Sequence, residues 1–122
     1  MREIEFRAWL KDQEVMRNNV SFHGGNLWTG YSWIPLNENI ELMQYTGLKD
    51  KNGVKIFEGD IVKVDYLQEK IFEIIFVNGG FKLKAKDCST EYDYSITPTM
   101  IEENAIEVIG NIYKNKELLE NE

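Results

Sequence analysis

The chain has little of the chemistry that metal sites and covalent catalysis require. Its 122 residues include one histidine and one cysteine, His23 and Cys88. A structural zinc site takes three or four such ligands, and a single cysteine excludes an internal disulfide framework. A nucleophilic triad would have to use His23 as its base. We therefore expect no metal ion, no cofactor and no catalytic residues.

Long apolar runs and phosphate-binding loops are also absent from the sequence. No apolar run approaches the roughly 20 residues that a membrane-spanning helix needs. The first ten residues alternate charged and apolar side chains, which is not the pattern of a secretory signal. Neither G-x-x-x-x-G-K-[ST] nor G-x-G-x-x-G occurs. These absences predict a cytoplasmic protein that does not contact the membrane and is not an enzyme.

Short strands and tight turns dominate the pattern that is present. EIEFRAW near the N-terminus alternates polar and apolar residues with the period of a half-buried strand. In LMQYTGLKDKNGVKIFEGDIVKVDY, residues 42–66, the first strand is expected to end at Gly47, Asn52–Gly53 predicts a hairpin, and Gly59 predicts a second reversal. KIFEIIFV is apolar on both faces and predicts a central strand. AIEVIGNIY is the last strong strand signal, with a bulge expected at Gly110.

These signals predict a mainly β fold of small curled sheets or barrels, with at most one or two short helical turns. We expect residues 42–86 to form an SH3-like portion, a label that carries no function by itself. The length of 122 residues favours a single domain over residues 1–122. Two small β subdomains within it are an option, namely about 1–40 plus the C-terminal strand, and about 41–100.

Three lysines are the first candidate binding residues. Lys82, Lys84 and Lys86 alternate with apolar residues along one predicted strand, which spaces their side chains roughly 6–7 Å apart on one face. Such a spacing suits a single nucleic-acid strand. The simpler interpretation is a solvated face that keeps the strand edge from pairing.

The aromatic residues are the second candidate. Trp9, Trp28 and Trp33 all lie in the first third of the chain. They either fill a core or, where a thin sheet leaves them exposed, mark a protein interface. Trp28, Trp33 and Tyr45 are the interface residues that we predict.

Four segments together resemble the YopX-like family of phage and prophage proteins. They are REIEFRAWL with the EVM that follows, LMQYTGLKDKNGVKIFEGDIVKVDY, VNGGF and IEVIGNIYKNKELL. The resemblance implies a mostly β protein of a phage or prophage, acting in the cytoplasm of a Gram-positive host. It implies no catalytic residue, because the family brings no established activity. The polar motif residues are expected to hydrogen-bond turns and strand ends; they are Gln44, Tyr45, Thr46 and Asp60.

These observations favour a non-enzymatic accessory protein that works by protein–protein contact. Its partner would be a second copy of the chain, giving a homo-oligomer, or a host or phage protein. The alternative is a nucleic-acid-binding module that uses Lys82, Lys84 and Lys86. The formal net charge of −7, from 21 acidic and 14 basic residues, disfavours that alternative because phosphate binding relies on clustered cations.

Overall fold

The computed structural model describes residues 3–65, 70–77, 79–85, 93–96, 98–103 and 105–120. Within these ranges the chain is built mainly of short β-strands, and the predicted β fold with one or two short helical turns is confirmed. The strands are β1 (Phe6–Leu10), β2 (Val15–Asn18), β3 (Ser21–His23), β4 (Asn26–Trp28), β5 (Trp33–Pro35), β6 (Ile40–Lys49), β7 (Lys55–Phe57), β8 (Asp60–Val64), β9 (Lys70–Val77), β10 (Gly80–Ala85), β11 (Asp93–Ser95) and β12 (Ile106–Asn111), and the helices are α1 (Pro98–Glu102) and α2 (Glu117–Glu120). Neither helix in the described ranges is long and apolar enough to cross a membrane.

The chain divides into two compact units, Met1–Tyr45 and Thr46–Glu122. The strand orders are β2-β1-β6-β7, β3-β4-β5 and β11-β10-β9-β8-β12. The C-terminal strand β12 pairs with β8 in the second unit, and the division into two subdomains stays a prediction. The single domain over residues 1–122 and the SH3-like character of residues 42–86 stay predictions.

In the first unit, β1 is more deeply buried than its alternating sequence predicts. The four residues from Arg7 to Leu10 are all buried. Ala8 and Leu10 pack on one face in a cluster with Leu27, while Trp9 is buried on the other. A half-buried strand would leave Arg7 exposed on its polar face, but Arg7 is buried on the face that it shares with Trp9.

The second unit is organised around β9, which lies between β8 and β10. That central position is the one predicted from its apolar pattern on both faces. Phe72 and Ile74 pack in a buried cluster with Leu83 of β10. The bulge expected at Gly110 is present as a shift of register between Val108 and Gly110, where β12 pairs with β8.

Two strands depart from the expected pattern. The strand expected to end at Gly47 continues to Lys49 as β6. Gly47 has a φ of 89°, which glycine adopts inside a strand at little cost. The sequence of residues 87–104 has no clear alternation of polar and apolar residues that would predict a strand. Strand β11 nevertheless lies within this range and pairs with β10.

Candidate functional site

The carboxylate of Asp50, in the segment of residues 42–66, binds backbone N–H groups of the protein itself. This carboxylate is buried and accepts three backbone N–H bonds. Asn52 and Val54 donate to Oδ1 at 2.8 and 2.9 Å, and Val108 donates to Oδ2 at 2.9 Å. These charge-assisted bonds tie the turn between β6 and β7 to strand β12.

Asp60 and Thr46 have the hydrogen-bonding role expected of them. The Oδ2 of buried Asp60 accepts the backbone N–H of Phe57 at 2.7 Å, across the turn that contains Gly59. The Thr46 hydroxyl donates to the carbonyl of Ile56 at 2.8 Å. Because these groups are directed at the protein's own backbone, the motif around them specifies the fold.

The C-terminal segment IGNIYKN closes into an interlocked turn. Asn111 Oδ1 accepts the backbone N–H groups of Tyr113 and Lys114, at 3.0 and 2.9 Å. Asn115 Oδ1 accepts the N–H of Asn111 at 3.1 Å. A Cβ atom added at Gly110 would lie 2.6 Å from that Oδ1, so the close approach requires glycine.

The lysine face of β10 is less cationic than its sequence indicates. Lys82 and Lys84 are half-buried, and Lys86 lies outside the described residues. Lys82 pairs with Ile75 and Lys84 with Glu73, and directly opposite side chains share a sheet face. Burial raises the pKa of the Glu73 carboxyl, and the charge of Lys84 acts against that rise. The described part of this face mixes both signs of charge with apolar groups.

An exposed aromatic surface is formed in the first unit by Trp28, Tyr31 and Trp33 together with the guanidinium of Arg17. In the three-stranded sheet, Trp28 of β4 pairs with Trp33 of β5. The adjacent pair, Leu27 and Ile34, belongs to a buried cluster. Since neighbouring positions in a strand point to opposite faces, the two tryptophans lie on the face away from that cluster.

The aromatic surface contains one contact between the two tryptophan rings and one between Tyr31 and a cation. The Trp28 and Trp33 ring centroids are 5.4 Å apart, with the planes tilted by 44°. Trp33 is 55% exposed and Tyr31 is 80% exposed. The Arg17 guanidinium carbon lies 5.4 Å from the Tyr31 ring centroid, within the range of a cation–π contact.

The turn between β4 and β5 holds Tyr31 in a defined position. The backbone N–H of Thr29 donates to the carbonyl of Ser32 at 3.1 Å. The Thr29 hydroxyl oxygen accepts the N–H groups of Tyr31 and Ser32, both at 3.3 Å. Gly30 takes a φ of 96°, which lets the chain reverse within these four residues.

Of the three interface residues predicted, two belong to this surface and one does not. Trp28 is half-buried and Trp33 is exposed. Tyr45 is 4% exposed, so its side chain does not offer the contact surface that we expected. It lies on the long strand β6, where the hydrophobic pattern alone does not separate buried from exposed positions.

Arg17 and Tyr31 of this surface were not predicted from the sequence. The sequence does contain one signal for the surface, a long segment without charged residues. Residues 18–37 contain no Asp, Glu, Lys or Arg, although the chain as a whole has 35 such residues. Twenty consecutive uncharged residues with exposed aromatics differ from an ordinary solvated surface, which carries both signs of charge. That gap in the charge pattern, combined with the tryptophans, identifies the surface.

Other features of the described residues carry less chemistry. A shallow cavity of about 150 Å³ lies in the first unit, lined in part by Asp12, Gln13, Asn37 and Asn39. Pockets that enclose a metabolite or drug-sized ligand have volumes of about 300 to 1,000 Å³, at least twice as large. No three or more His, Cys, Asp or Glu side chains among the described residues are placed to hold a metal ion, and Cys88 lies outside them.

Comparison with known proteins gives a family match over nearly the whole chain. The family model described as YopX protein matches residues 5–120. The SPbeta prophage-derived uncharacterized protein YopX of Bacillus subtilis (strain 168) is 33% identical over 87 residues. That alignment covers 69% of this chain and 62% of the relative, which is less than two thirds of the relative's length.

Solved structures show the same fold. The crystal structure of protein EF1440 from Enterococcus faecalis is 29% identical, with a TM-score of 0.73, and the match covers 98% of this chain and 99% of that one. The X-ray structure of protein yopX from Bacillus subtilis is 26% identical, with a TM-score of 0.60, covering 97% and 98% of the two chains. These matches confirm the resemblance found in the sequence motifs.

Proposed function

This chain belongs to the prophage-associated YopX family, and we propose that it is a non-enzymatic module that binds another protein in the host cytoplasm. The contact is made by the aromatic surface of Trp28, Tyr31, Trp33 and Arg17. The partner is a second copy of the chain or a host or phage protein. The recognisable motif residues described above maintain the fold of the second unit.

The observation that carries the proposal is the combination of exposed aromatic rings with a segment, residues 18–37, that contains no Asp, Glu, Lys or Arg. Trp, Tyr and Arg most often dominate the binding energy of protein interfaces. Charged residues are depleted at the centre of such interfaces, and residues 18–37 contain none. The opposite face of the same sheet packs in a buried cluster through Leu27 and Ile34, which makes the surface rigid.

Affinity capture from prophage-induced host cells tests the proposal. The tagged wild-type protein is compared with Trp33→Ser and with Phe76→Ser, a matched control because Phe76 is an aromatic residue 51% exposed in the second unit. We expect wild type and control to retain one protein in stoichiometric amount, or a differently tagged second copy. Trp33→Ser is expected to lose it. Equal retention by all three proteins contradicts the proposal.

The nucleic-acid alternative is less well supported by the geometry. Lys84 lies opposite Glu73 on its sheet face, and Lys63 on β8 is 3.6 Å from Glu107. These carboxylates offset part of the positive charge that phosphates would require. The aromatic surface contributes a single cation, Arg17.

A binding measurement separates the two functions. We expect no salt-sensitive binding of a labelled single-stranded oligonucleotide by fluorescence anisotropy at about 50 mM salt. Binding that falls as salt rises, and falls further in Lys84→Glu, would replace the proposed function by the alternative. Lys114→Glu, a change of the same charge at an exposed residue away from β10, is the control.

A further inference from the structure

We infer that the protein bound at the aromatic surface is a second copy of this chain, joined face to face about a two-fold axis. This inference rests on the proposed function and names the partner of that same surface. The two tryptophans of the surface, Trp28 and Trp33, lie on the face of the β3-β4-β5 sheet that points away from the buried cluster. Tyr31 lies in the turn between β4 and β5, with the Arg17 guanidinium over its ring.

Charge is the first argument for a second copy. The formal net charge is −7, and both units contribute, with 4 basic against 6 acidic residues in 1–45 and 10 against 15 in 46–122. Two copies that meet through charged regions therefore bring like charges together. Residues 18–37 add no charge to the sheet that carries the aromatic rings. Repulsion between copies is smallest when these uncharged sheets face each other.

Self-complementarity is the second argument. In a two-fold contact both copies use the same patch. Each side chain therefore has to pack favourably against its own counterpart, or against a neighbour of that counterpart, in the other copy. A one-signed charged patch fails that requirement, whereas aromatic rings meet it through offset or edge-to-face contacts. Arg17 fits the same scheme, since a guanidinium that lies over Tyr31 in one copy can also cover an aromatic face of the other.

The size of the surface sets the strength of the contact. From their exposed fractions of 55% and 80%, Trp33 and Tyr31 offer roughly 300 Å² per copy for burial. Stable interfaces bury about 800 Å² per partner, so the sheet around the rings contributes and the dimer is weak. We expect monomer and dimer to exchange in the micromolar range of concentration.

Ionic strength distinguishes this dimer from one held by salt bridges. Added salt screens the repulsion between two copies that each carry −7. It leaves apolar contacts intact or strengthens them. A dimer formed through the aromatic surface therefore becomes tighter as salt rises, whereas a dimer formed through ion pairs becomes looser.

Sedimentation equilibrium tests the inference with purified protein from about 5 to about 200 µM, at about 50 and about 500 mM NaCl. The weight-average mass of the wild type is expected to rise from 14.3 kDa toward twice that value, and to rise further at the higher salt. Trp33→Ser and Tyr31→Ser should each weaken dimerisation at least about tenfold. Phe76→Ser should dimerise like the wild type. Circular dichroism confirms that each variant is folded.

Three outcomes would overturn the inference. The first is a wild type that stays monomeric at both salt concentrations, the second is association that weakens as salt rises, and the third is association that both Trp33→Ser and Tyr31→Ser retain. If the wild type is monomeric while Trp33-dependent capture of a host or phage protein is found, the partner named here is wrong and the proposed function stands. If neither association nor Trp33-dependent capture is found, both fail.

Discussion

The side chains of two buried aspartates, Asp50 and Asp60, accept hydrogen bonds from backbone N–H groups. Asp50 accepts three N–H groups from two separate parts of the chain, and Asp60 accepts one across a tight turn. A buried carboxylate without such partners would be strongly destabilising. Their partners are main-chain donors, which are available whatever side chains surround them. Acidic residues at these two positions are therefore explained without a metal ion or a catalytic role.

Asp50→Ala is predicted to destabilise the second unit by about 3 kcal/mol, because it removes three charge-assisted hydrogen bonds between a buried carboxylate and backbone N–H groups. Urea denaturation followed by far-UV circular dichroism measures the change. Asp12→Ala, at an exposed position in the turn between β1 and β2, should change the free energy of unfolding by less than about 0.5 kcal/mol. Equal effects of the two substitutions would show that the Asp50 bonds contribute nothing.

Glu73 gives a prediction of pH dependence. Its pKa lies above the ordinary 4.5, chiefly because burial disfavours the charged form, with an opposing effect of Lys84 and a supporting one of Glu58. A carboxyl whose pKa is raised in the folded state favours folding while it is protonated. That contribution is present below the unfolded pKa and is lost as pH rises through the folded value.

Glu73→Gln is therefore predicted to raise the melting temperature slightly at pH 7. The difference from wild type should shrink as pH falls toward 4.5, where the unfolded carboxyl also takes up its proton. Thermal unfolding at a series of pH values measures it. A stabilisation of Glu73→Gln that is constant with pH would mean that ionisation of Glu73 is not its cause.

At the scale of the secondary-structure element, one turn and one strand end require glycine for different reasons. Gly53, in the turn between β6 and β7, has a φ of 81° and open space around a hypothetical Cβ. Gly110, in β12, shows no positive φ but faces the Asn115 side chain at 2.6 Å. At Gly53 the backbone conformation disfavours other residues, whereas at Gly110 the lack of space for a Cβ atom does so.

The two glycines should respond differently to a second substitution. Gly53→Ala is expected to cost about 1 kcal/mol, from the left-handed conformation. Gly110→Ala is expected to cost about 2 kcal/mol, from overpacking against Asn115. In an Asn115→Gly background, which removes the Asn115 Cβ at 2.8 Å as well as its amide, the cost of Gly110→Ala should largely disappear, while that of Gly53→Ala should not change. Chemical denaturation of the single and double variants measures this, and additive costs for Gly110 and Asn115 would exclude the steric explanation.

Some elements could be predicted from their local sequence and others could not. The hairpin at Asn52–Gly53, the central strand β9 and the bulge at Gly110 follow from turn chemistry and period, which are properties of neighbouring residues. The burial of Arg7 and Tyr45 does not, because it depends on which distant residues cover β1 and β6. The same reason hides the effect of Lys84 on the pKa of Glu73, since that pair forms only when β9 and β10 align.

At the scale of the whole molecule, the two units have separate buried clusters. One contains Leu27 with Ala8, and the other contains Ile74 with Phe72. All three tryptophans lie in residues 1–45, the first unit. Tryptophan fluorescence therefore reports on the first unit, while circular dichroism reports on both.

Ile74→Ala is predicted to destabilise its own cluster by about 3 kcal/mol, since Ile74 is fully buried. In equilibrium denaturation we expect the circular dichroism midpoint to fall more than the tryptophan fluorescence midpoint, because the substitution removes no contact from the cluster around Leu27. Leu27→Ala should give the reverse order. Identical shifts of both signals in both variants would mean that the molecule unfolds as one cooperative unit.

The strand pattern, the turns and the scarcity of reactive side chains could be recognised from the amino-acid sequence, because each depends on composition or on residues close together in the chain. The family could be recognised for the same reason, since its motif residues form local turns and strand ends. Tertiary structure alone separated Trp33, which is exposed, from Tyr45, which is buried although the same role was predicted for both, and it set Glu73 beside Lys84. Exposure and pairing are decided by residues far apart in sequence, and the binding surface depends on both.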